Sequence, residues 1–427
     1  MRMVTIDDVC TFVGGSQPPK STFIYEEKEG YIRLIQTRDY KTDRFITYIP
    51  EATAKKKCSA QDVMIGRYGP PIFQILRGLE GAYNVALMKA CPKDVILNDY
   101  LYYLLKQRNL FLYIDSLSSR TGGQTGVDIP SLKKYPVYLP EKPYQEKVVK
   151  ILKGIDDKID TNNKIRKKAE DLLWEMWLHE FAKNANSYKE NNLLEICTHA
   201  TYSINPFDTP SKEYIYYNIP TFDETGAYTI EVGANIKSNK FFVKDTDVLV
   251  SKLNPWFNRV ILADRTAICS TEFVVLRTAN RYLRNFLYVI CTSQPFIGYC
   301  STNATGTSNS HKRISPELML DFKANFSLQA AEDFGRKVDP YISMIINIVN
   351  QNLSLSSTRD FLLPMLMSGQ VDISDSTPNA HILEFYNQEH KQYDVRQAAR
   401  SFGEDSTDDT ADLVKEFIKR RKNDSKS

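Results

Sequence analysis

The sequence of 427 residues lacks the marks of most familiar chemistries. Its seven cysteines include no CxxC pair, and its five histidines make no HExxH or zinc-finger spacing, so reduced thiols and no metal site are expected. No Walker A sequence and no GxSxG elbow occur. No apolar run of about 18 residues is present, and MRMVTIDDVC at the N-terminus has no signal-peptide core, so a cytoplasmic protein without membrane contact is expected. Excess charge of one sign is missing too. Lys and Arg number 55 against 52 Asp and Glu, a net +3 that leaves any anionic partner to local patches.

What is present is length enough for two or three domains, and one conspicuous helical stretch. From Tyr144 to about Phe181, Val148, Leu152, Ile155, Ile159, Asn162, Arg166, Ala169, Leu173 and Met176 follow one another at alternating steps of four and three. That is the seam of a heptad helix, and Pro143 suits its start. A helix of about 35 residues is about 50 Å long and cannot cover its own apolar stripe, so it needs a partner.

The chain before it reads as mixed α/β. A helix is expected over Ile6–Val13, then strands at Tyr31–Gln36, Phe45–Ile49, Asp62–Arg67 and Tyr83–Lys89. A helix over Asn98–Lys106, a glycine-rich loop at Arg120–Asp128 and a strand within Ile129–Pro140 complete it. Ala185–Asn192 reads as a polar linker.

The chain then repeats itself. DVMIGRYGPP (Asp62–Pro71) matches DVLVSKLNPW (Asp247–Trp256), and Tyr31–Asp39 corresponds loosely to Tyr216–Glu224. Tyr100–Leu105 corresponds to Tyr282–Leu287, and Thr121–Leu132 to Thr305–Leu318. The offset stays at about 182 to 187 residues, the signature of a tandem duplication. The seam recurs as well, through Phe334, Val338, Tyr341, Ile345, Ile348, Asn352, Leu355, Arg359, Leu362 and Leu366. Pro340 suits only a helix start or a kink, and Pro364 with Gly369 marks the expected end. Each long helix thereby gains a partner. The expected fold is α+β: two pseudo-twofold-related mixed α/β domains, 1–142 and 185–327, separated by a pair of long antiparallel coiled-coil helices, 143–184 and 328–369. Asn162 and Arg166 in one seam, and Asn352 and Arg359 in the other, are expected to fix register at some cost in stability. Residues 370–427, with the acidic run Glu404–Asp412, read as a linker and solvated tail.

Catalytic motifs are scarce. Asn254–Pro255–Trp256–Phe257 resembles the N/D-P-P-F/Y tetrapeptide with which amino-methyltransferases hold a flipped adenine. Its third position is Trp, no glycine-rich loop for S-adenosylmethionine follows a strand, and the repeat aligns it with Gly69–Ile72, which has neither acceptor nor aromatic. A shared proline turn is the better reading.

Basic, amide and aromatic residues do recur in the loops of both copies. They are Lys20, Arg33, Gln36, Arg38, Tyr40, Arg67, Tyr68 and Arg120 in the first. In the second they are Lys212, Tyr214, Lys252, Asn254, Trp256, Asn258, Arg259, Asn309, His311, Lys312 and Arg313. These types read base edges and anchor phosphates, and their repetition points to DNA.

The order domain, long helix, domain, long helix resembles the specificity (S) subunit of type I restriction–modification systems. The pieces that carry the likeness are GGSQPPK (Gly14–Lys20), the GRYGPP and SKLNPW turns, the glycine loop leading into IPSLKKYPVYLPEKPYQEKVVKILKGIDDKID, and the closing LLPMLMSGQV. They span residues 1 to about 373. The resemblance implies two target recognition domains on double-stranded DNA, each reading half of a split target. The paired helices would act as a ruler and dock two methyltransferase (M) subunits, with motor–nuclease (R) subunits joining to cut. It implies no catalysis and no cofactor in this chain: S-adenosylmethionine, ATP and Mg would reside on the partners. Leu172, Trp174, Trp177, Leu178, Phe361 and Leu363, off or near the seam, are candidates for M-subunit docking. Rival expectations are a system with a fused methyltransferase–nuclease, and a two-headed protein-binding adaptor.

Overall fold

The computed structural model describes residues 2–69, 71–118, 126–182, 187–306 and 311–369. Two compact units form: one from the N-terminal residues to Asp156 with the stretch from Thr358, the other from Asp157 to Ser357. The first holds strands β1 Arg2–Thr5, β2 Cys10–Gly14, β3 Tyr31–Ile35, β4 Tyr48–Pro50, β5 Lys57–Cys58, β6 Val63–Gly66, β7 Ile75–Leu76, β8 Gly81–Tyr83, β9 Leu87–Pro92 and β10 Pro136–Leu139. Its helices are α1 Ile6–Val9, α2 Asn98–Leu105, α3 Arg108–Ser118, α4 Ile129–Lys134 and the first part of α5 Lys142–Trp177. The second holds β11 Glu190–Asn192, β12 Cys197–His199, β13 Ser203–Ile204, β14 Glu213–Tyr217, β15 Thr229–Val232, β16 Lys240–Val243, β17 Asp247–Ser251, β18 Val260–Leu262, β19 Ala267–Cys269, β20 Phe273–Thr278 and β21 Lys323–Asn325. Its helices are α6 Ile219–Thr225, α7 Arg281–Cys291, α8 Gln294–Thr302, α9 Pro316–Leu320 and most of α10 Leu328–Ser368.

The sheets repeat. The first unit has the ribbon β1–β10 and the sheets β2-β9-β6-β7 and β4-β3-β8-β5. The second has β11–β21, β12-β20-β17-β18 and β13-β16-β19-β14-β15, the same orders with β13 added. Even the single parallel step recurs: Leu34 and Ile35 lie against Ala82 and Tyr83, and Tyr216 and Tyr217 against Ile268 and Cys269. Both units are thus α+β. The central strands β6 and β17 are buried at every residue, which explains their continuous apolar runs.

Within each unit the long helices run antiparallel. In the first, Tyr144 Oη donates to the Leu366 carbonyl at 3.1 Å, and Arg359 Nη1 to Asp156 Oδ1 at 2.9 Å. Asp156 also accepts from Tyr103 Oη at 2.7 Å, so one carboxylate ties α5 to α2 and to α10. In the second, Asn162 Nδ2 donates to Asn352 Oδ1 at 2.8 Å and Gln351 Oε1 at 2.6 Å, while Asn352 Nδ2 donates to Asn163 Oδ1 at 2.9 Å. Arg166 gives Nε to Glu170 on its own helix at 2.9 Å and also bonds Tyr288, whose Oη donates to that same carboxylate at 2.9 Å. Val148, Leu152, Phe334, Val338, Ile345 and Ile348 are buried on the seam, with Ile155 and Ile159 half-buried.

Several expectations are corrected. Tyr341 is 37% exposed while Ile342 is fully buried, because the stripe steps four residues from Val338 before it steps three to Ile345. Pro364 does not end α10; Gly369 does, with φ +71°. Pro340 is likewise accommodated within the helix. Leu363 is buried in the first unit's core, which removes it from the docking candidates. Helix α1 stops at Val9, and Cys10–Gly14 instead pairs with β9. The strand expected within Ile129–Pro140 is confined to Pro136–Leu139; Ile129–Lys134 is a helix, because Asp128 accepts from Ser131 N–H at 3.2 Å and Pro130 favours a helix start. Tyr83–Lys89 divides between β8 and β9, and Asp43–Phe45 is a 3-10 turn ahead of β4. Part of the expected linker, Glu190–Asn192, is a strand paired with β21. The glycine loop from Arg120 to Thr125 and the tail from Gln370 lie outside the described residues.

Candidate nucleic-acid interface

In each unit the candidate edge grows from the end of the central strand. After β6, Arg67 N–H donates to the Ala86 carbonyl at 2.8 Å, Val127 N–H to the Arg67 carbonyl at 3.0 Å, and Tyr68 bridges Gly126. After β17, Lys252 N–H donates to the Glu272 carbonyl at 2.9 Å, Ile314 N–H to the Lys252 carbonyl at 3.1 Å, and Leu253 bridges Arg313. The turns that follow carry left-handed residues at corresponding positions. Left-handed φ occurs at Gly69 (98°) and Asn254 (49°), and again at Phe73 (56°) and Asn258 (49°). Glycine and asparagine are the residues that enter this region most readily, which explains their exchange at the first position. The Asn254 side chain is committed to that turn. Its Oδ1 accepts Lys312 N–H at 3.0 Å, while its own N–H donates to the Lys312 carbonyl at 2.7 Å.

In the first unit Lys20 is exposed on a 3-10 turn. Arg33, on β3, gives Nη2 to Asp43 at 3.0 Å. Gln36 is half-buried, its N–H donating to Asp39 at 2.9 Å. Arg38 is exposed, 5.2 Å from the Phe45 ring centroid. Arg67 leans over Tyr68 at 5.1 Å, its buried Nε finding no hydrogen-bond partner among the described residues. Tyr40 is a correction. It packs on Ile35, Met64 and Tyr83, its hydroxyl is enclosed, and burial pushes that hydroxyl well above the usual phenol range. Tyr40 is half-buried against that core, and its enclosed hydroxyl is not available as a polar contact.

In the second unit Lys252, Asn254, Lys312 and Arg313 are brought together by the bonds above. Trp256 is half-buried, its ring 6.1 Å from that of exposed Phe257, and Asn258 and His311 are exposed. Lys212 stands over Tyr214 at 4.9 Å. Arg259 is the second correction. It is 8% exposed; Nε and Nη2 grip Asp223 at 2.6 and 2.7 Å, and Nη1 donates to the Leu253 carbonyl at 3.3 Å. With all three nitrogens engaged it fastens the turn to α6. Arg313 is held differently, by Glu272 at 2.9 Å, with its side chain 44% exposed. Arg120 and Asn309 lie outside the described residues. On β12, His199 has its pKa lowered by burial and by the charge of Lys252, with Glu317 opposing.

Other chemistry finds little support. Burial pushes the thiols of Cys10, Cys197 and Cys300 up to about 12, which makes them poor nucleophiles. Among the described residues no group of acidic, His or Cys side chains could hold a metal ion, and no helix is long and apolar enough to cross a membrane.

Residues 1–171 match the sequence family described as the type I restriction modification DNA specificity domain. The type I restriction enzyme MjaIX specificity subunit of Methanocaldococcus jannaschii is 23% identical over 437 aligned residues, covering 87% of this chain and 93% of the relative. The chain is similar to type I restriction–modification specificity subunits, by family model over residues 1–171 and by that relative beyond it. From the same organism, the MjaVIII specificity subunit is 27% identical over 203 residues, 46% of each chain. Among solved structures, the S subunit from M. genitalium superposes with a TM-score of 0.46 at 18% identity, covering 86% of this chain and 96% of that one. The HsdS subunit from Thermoanaerobacter tengcongensis gives 0.32 at 13% identity, with 86% and 96% covered.

Sequence reasoning missed the acids Asp223 and Glu272, which decide what Arg259 and Arg313 can do. The repeat held one signal. Glu272 occupies the position of Ala86, so a charge enters one copy beside a strand end that is otherwise shared.

Proposed function

We propose that this chain is a specificity subunit that reads a bipartite double-stranded DNA target, one half with each repeated domain. The paired helices fix the non-specific spacer and dock two M subunits; R subunits complete the complex. S-adenosylmethionine, ATP and Mg belong to those partners. The observation that carries the reading is the repeated turn on unlike side chains: Arg67–Tyr68–Gly69 in one copy, Lys252–Leu253–Asn254 in the other, with matching bridges and left-handed positions. One scaffold used twice with different polar ends suits two unlike half-sites at a set separation. On the helices, Ile165 and Leu172 on α5 and Met344 on α10 are exposed apolar side chains that support docking of a partner protein. Trp174 and Trp177, stacked at 4.8 Å, are half-buried beside them.

Methylome sequencing of a host carrying the gene with its neighbours tests this. The expected result is a split motif with two different halves and a constant gap. An undivided motif would refute it. The neighbouring reading frames distinguish separate M and R subunits from a fused enzyme.

A further inference from the structure

This inference rests on the DNA-reading proposal and asks which residue sets specificity in the second domain. Arg313 donates to Glu272 through Nε at 2.9 Å and Nη2 at 3.3 Å, so the carboxylate holds one edge of the guanidinium. The Nη1–Nη2 edge makes no hydrogen bond to a described residue apart from that one, and the side chains are 44% and 30% exposed. A planar guanidinium gripped along one side has its orientation fixed and its end presented to a partner.

Both members are mounted on bonded backbone. Arg313 exchanges hydrogen bonds with Thr305, donating at 2.7 Å and accepting at 2.9 Å, and Glu272 accepts from Lys252 N–H at 2.9 Å. The Asn254–Lys312 clamp lies next to them. The first unit has Gly126 and Ala86 at these positions, and a Cβ at Gly126 would meet the Tyr68 ring at 3.1 Å. The pair is therefore confined to one copy, as a determinant of one half-site must be. An exposed ion pair adds little to stability, so folding offers small reason for it.

We propose that Glu272 is a specificity-determining positioning residue, holding Arg313 so that its free guanidinium edge addresses the O6 and N7 of a guanine in the half-site of the second domain. Arginine set bidentate on guanine is the commonest specific base contact in the major groove.

The test uses the full chain in complex with its methyltransferase subunits. Glu272→Ala, Glu272→Gln and Arg313→Lys are compared with wild type by methylome sequencing and by binding to duplexes varied at each position. Glu272→Ala and Arg313→Lys are expected to abolish a preference of about 5- to 150-fold at one guanine of one half-site. The other half-site and the gap stay as in wild type. Glu272→Gln, which keeps size and one hydrogen bond, relaxes the same position less, and it carries the test if Glu272→Ala melts early. Unchanged preferences in all three variants overturn the inference while leaving the bipartite reading intact. Uniform weakening on every sequence, with the salt slope reduced by about one, marks Arg313 as a phosphate contact and also overturns it. If wild type itself gives no split motif, the functional reading fails first.

Discussion

His199 ends β12 with its ring edge-on to Phe241, and burial followed by the Lys252 charge keeps its pKa below the ordinary 6.5. The folded value is the depressed one, so on acidification the unfolded chain takes the proton first. Stability from the neutral ring is present above pH 6.5 and lost as pH falls through the folded value. We expect the urea midpoint of the wild type to drop more between pH 7.5 and 5.5 than that of His199→Gln; equal drops would show that the ring contributes nothing. At this scale the sequence was legible only for residue types. Arg259 and Arg313 look alike in the chain, yet one is closed off by an acid 36 residues away and the other leans on an acid 41 residues away. Pairings at that separation leave no local pattern.

Among the elements, the long helices were the most legible, because a four–three spacing over many turns has few other meanings. The error at Tyr341 came from adjacent apolar residues, Tyr341 and Ile342, between which spacing alone cannot choose; packing against Val338 and Ile345 does. Strand boundaries fared worse where Asp128 and Pro130 turned an apolar run into α4. The amide cluster in the seam gives a direct test of the helix pair. Asn162→Ala leaves the acceptors of buried Asn352 and half-buried Gln351 without a donor, a loss of about 1–3 kcal/mol. Replacing Asn162 and Asn352 together by Leu should recover most of it or exceed wild type. Chemical denaturation in a double-mutant cycle measures the coupling, and simple additivity of the two losses would show that the amides do not act as a pair.

For the molecule as a whole, the duplication read from short strings reappears as two sheets of matching order in each unit, down to the parallel step. The added strand β13 was not legible, since Ser203–Ile204 carries too short a pattern to register. The proposed ruler has its own expectation. Four residues, about one turn, inserted after Lys158 should lengthen the gap in the methylated motif or prevent assembly. A motif of unchanged spacing would remove the helices from that role.

Leu362, Leu363, Met365, Leu366 and Met367 are buried in the core of the unit that begins at the N-terminus. The ribosome makes that core's other residues first and these only after roughly two hundred residues of the second unit. At about 5–20 residues per second, the nascent first unit waits about 10–40 s with one wall of its interior missing. Synthesis of this protein is therefore not a matter of finishing one half and then the other. The opening half stays unfinished until the second unit has been made, and its open apolar interior is where chaperones should be found in the meantime.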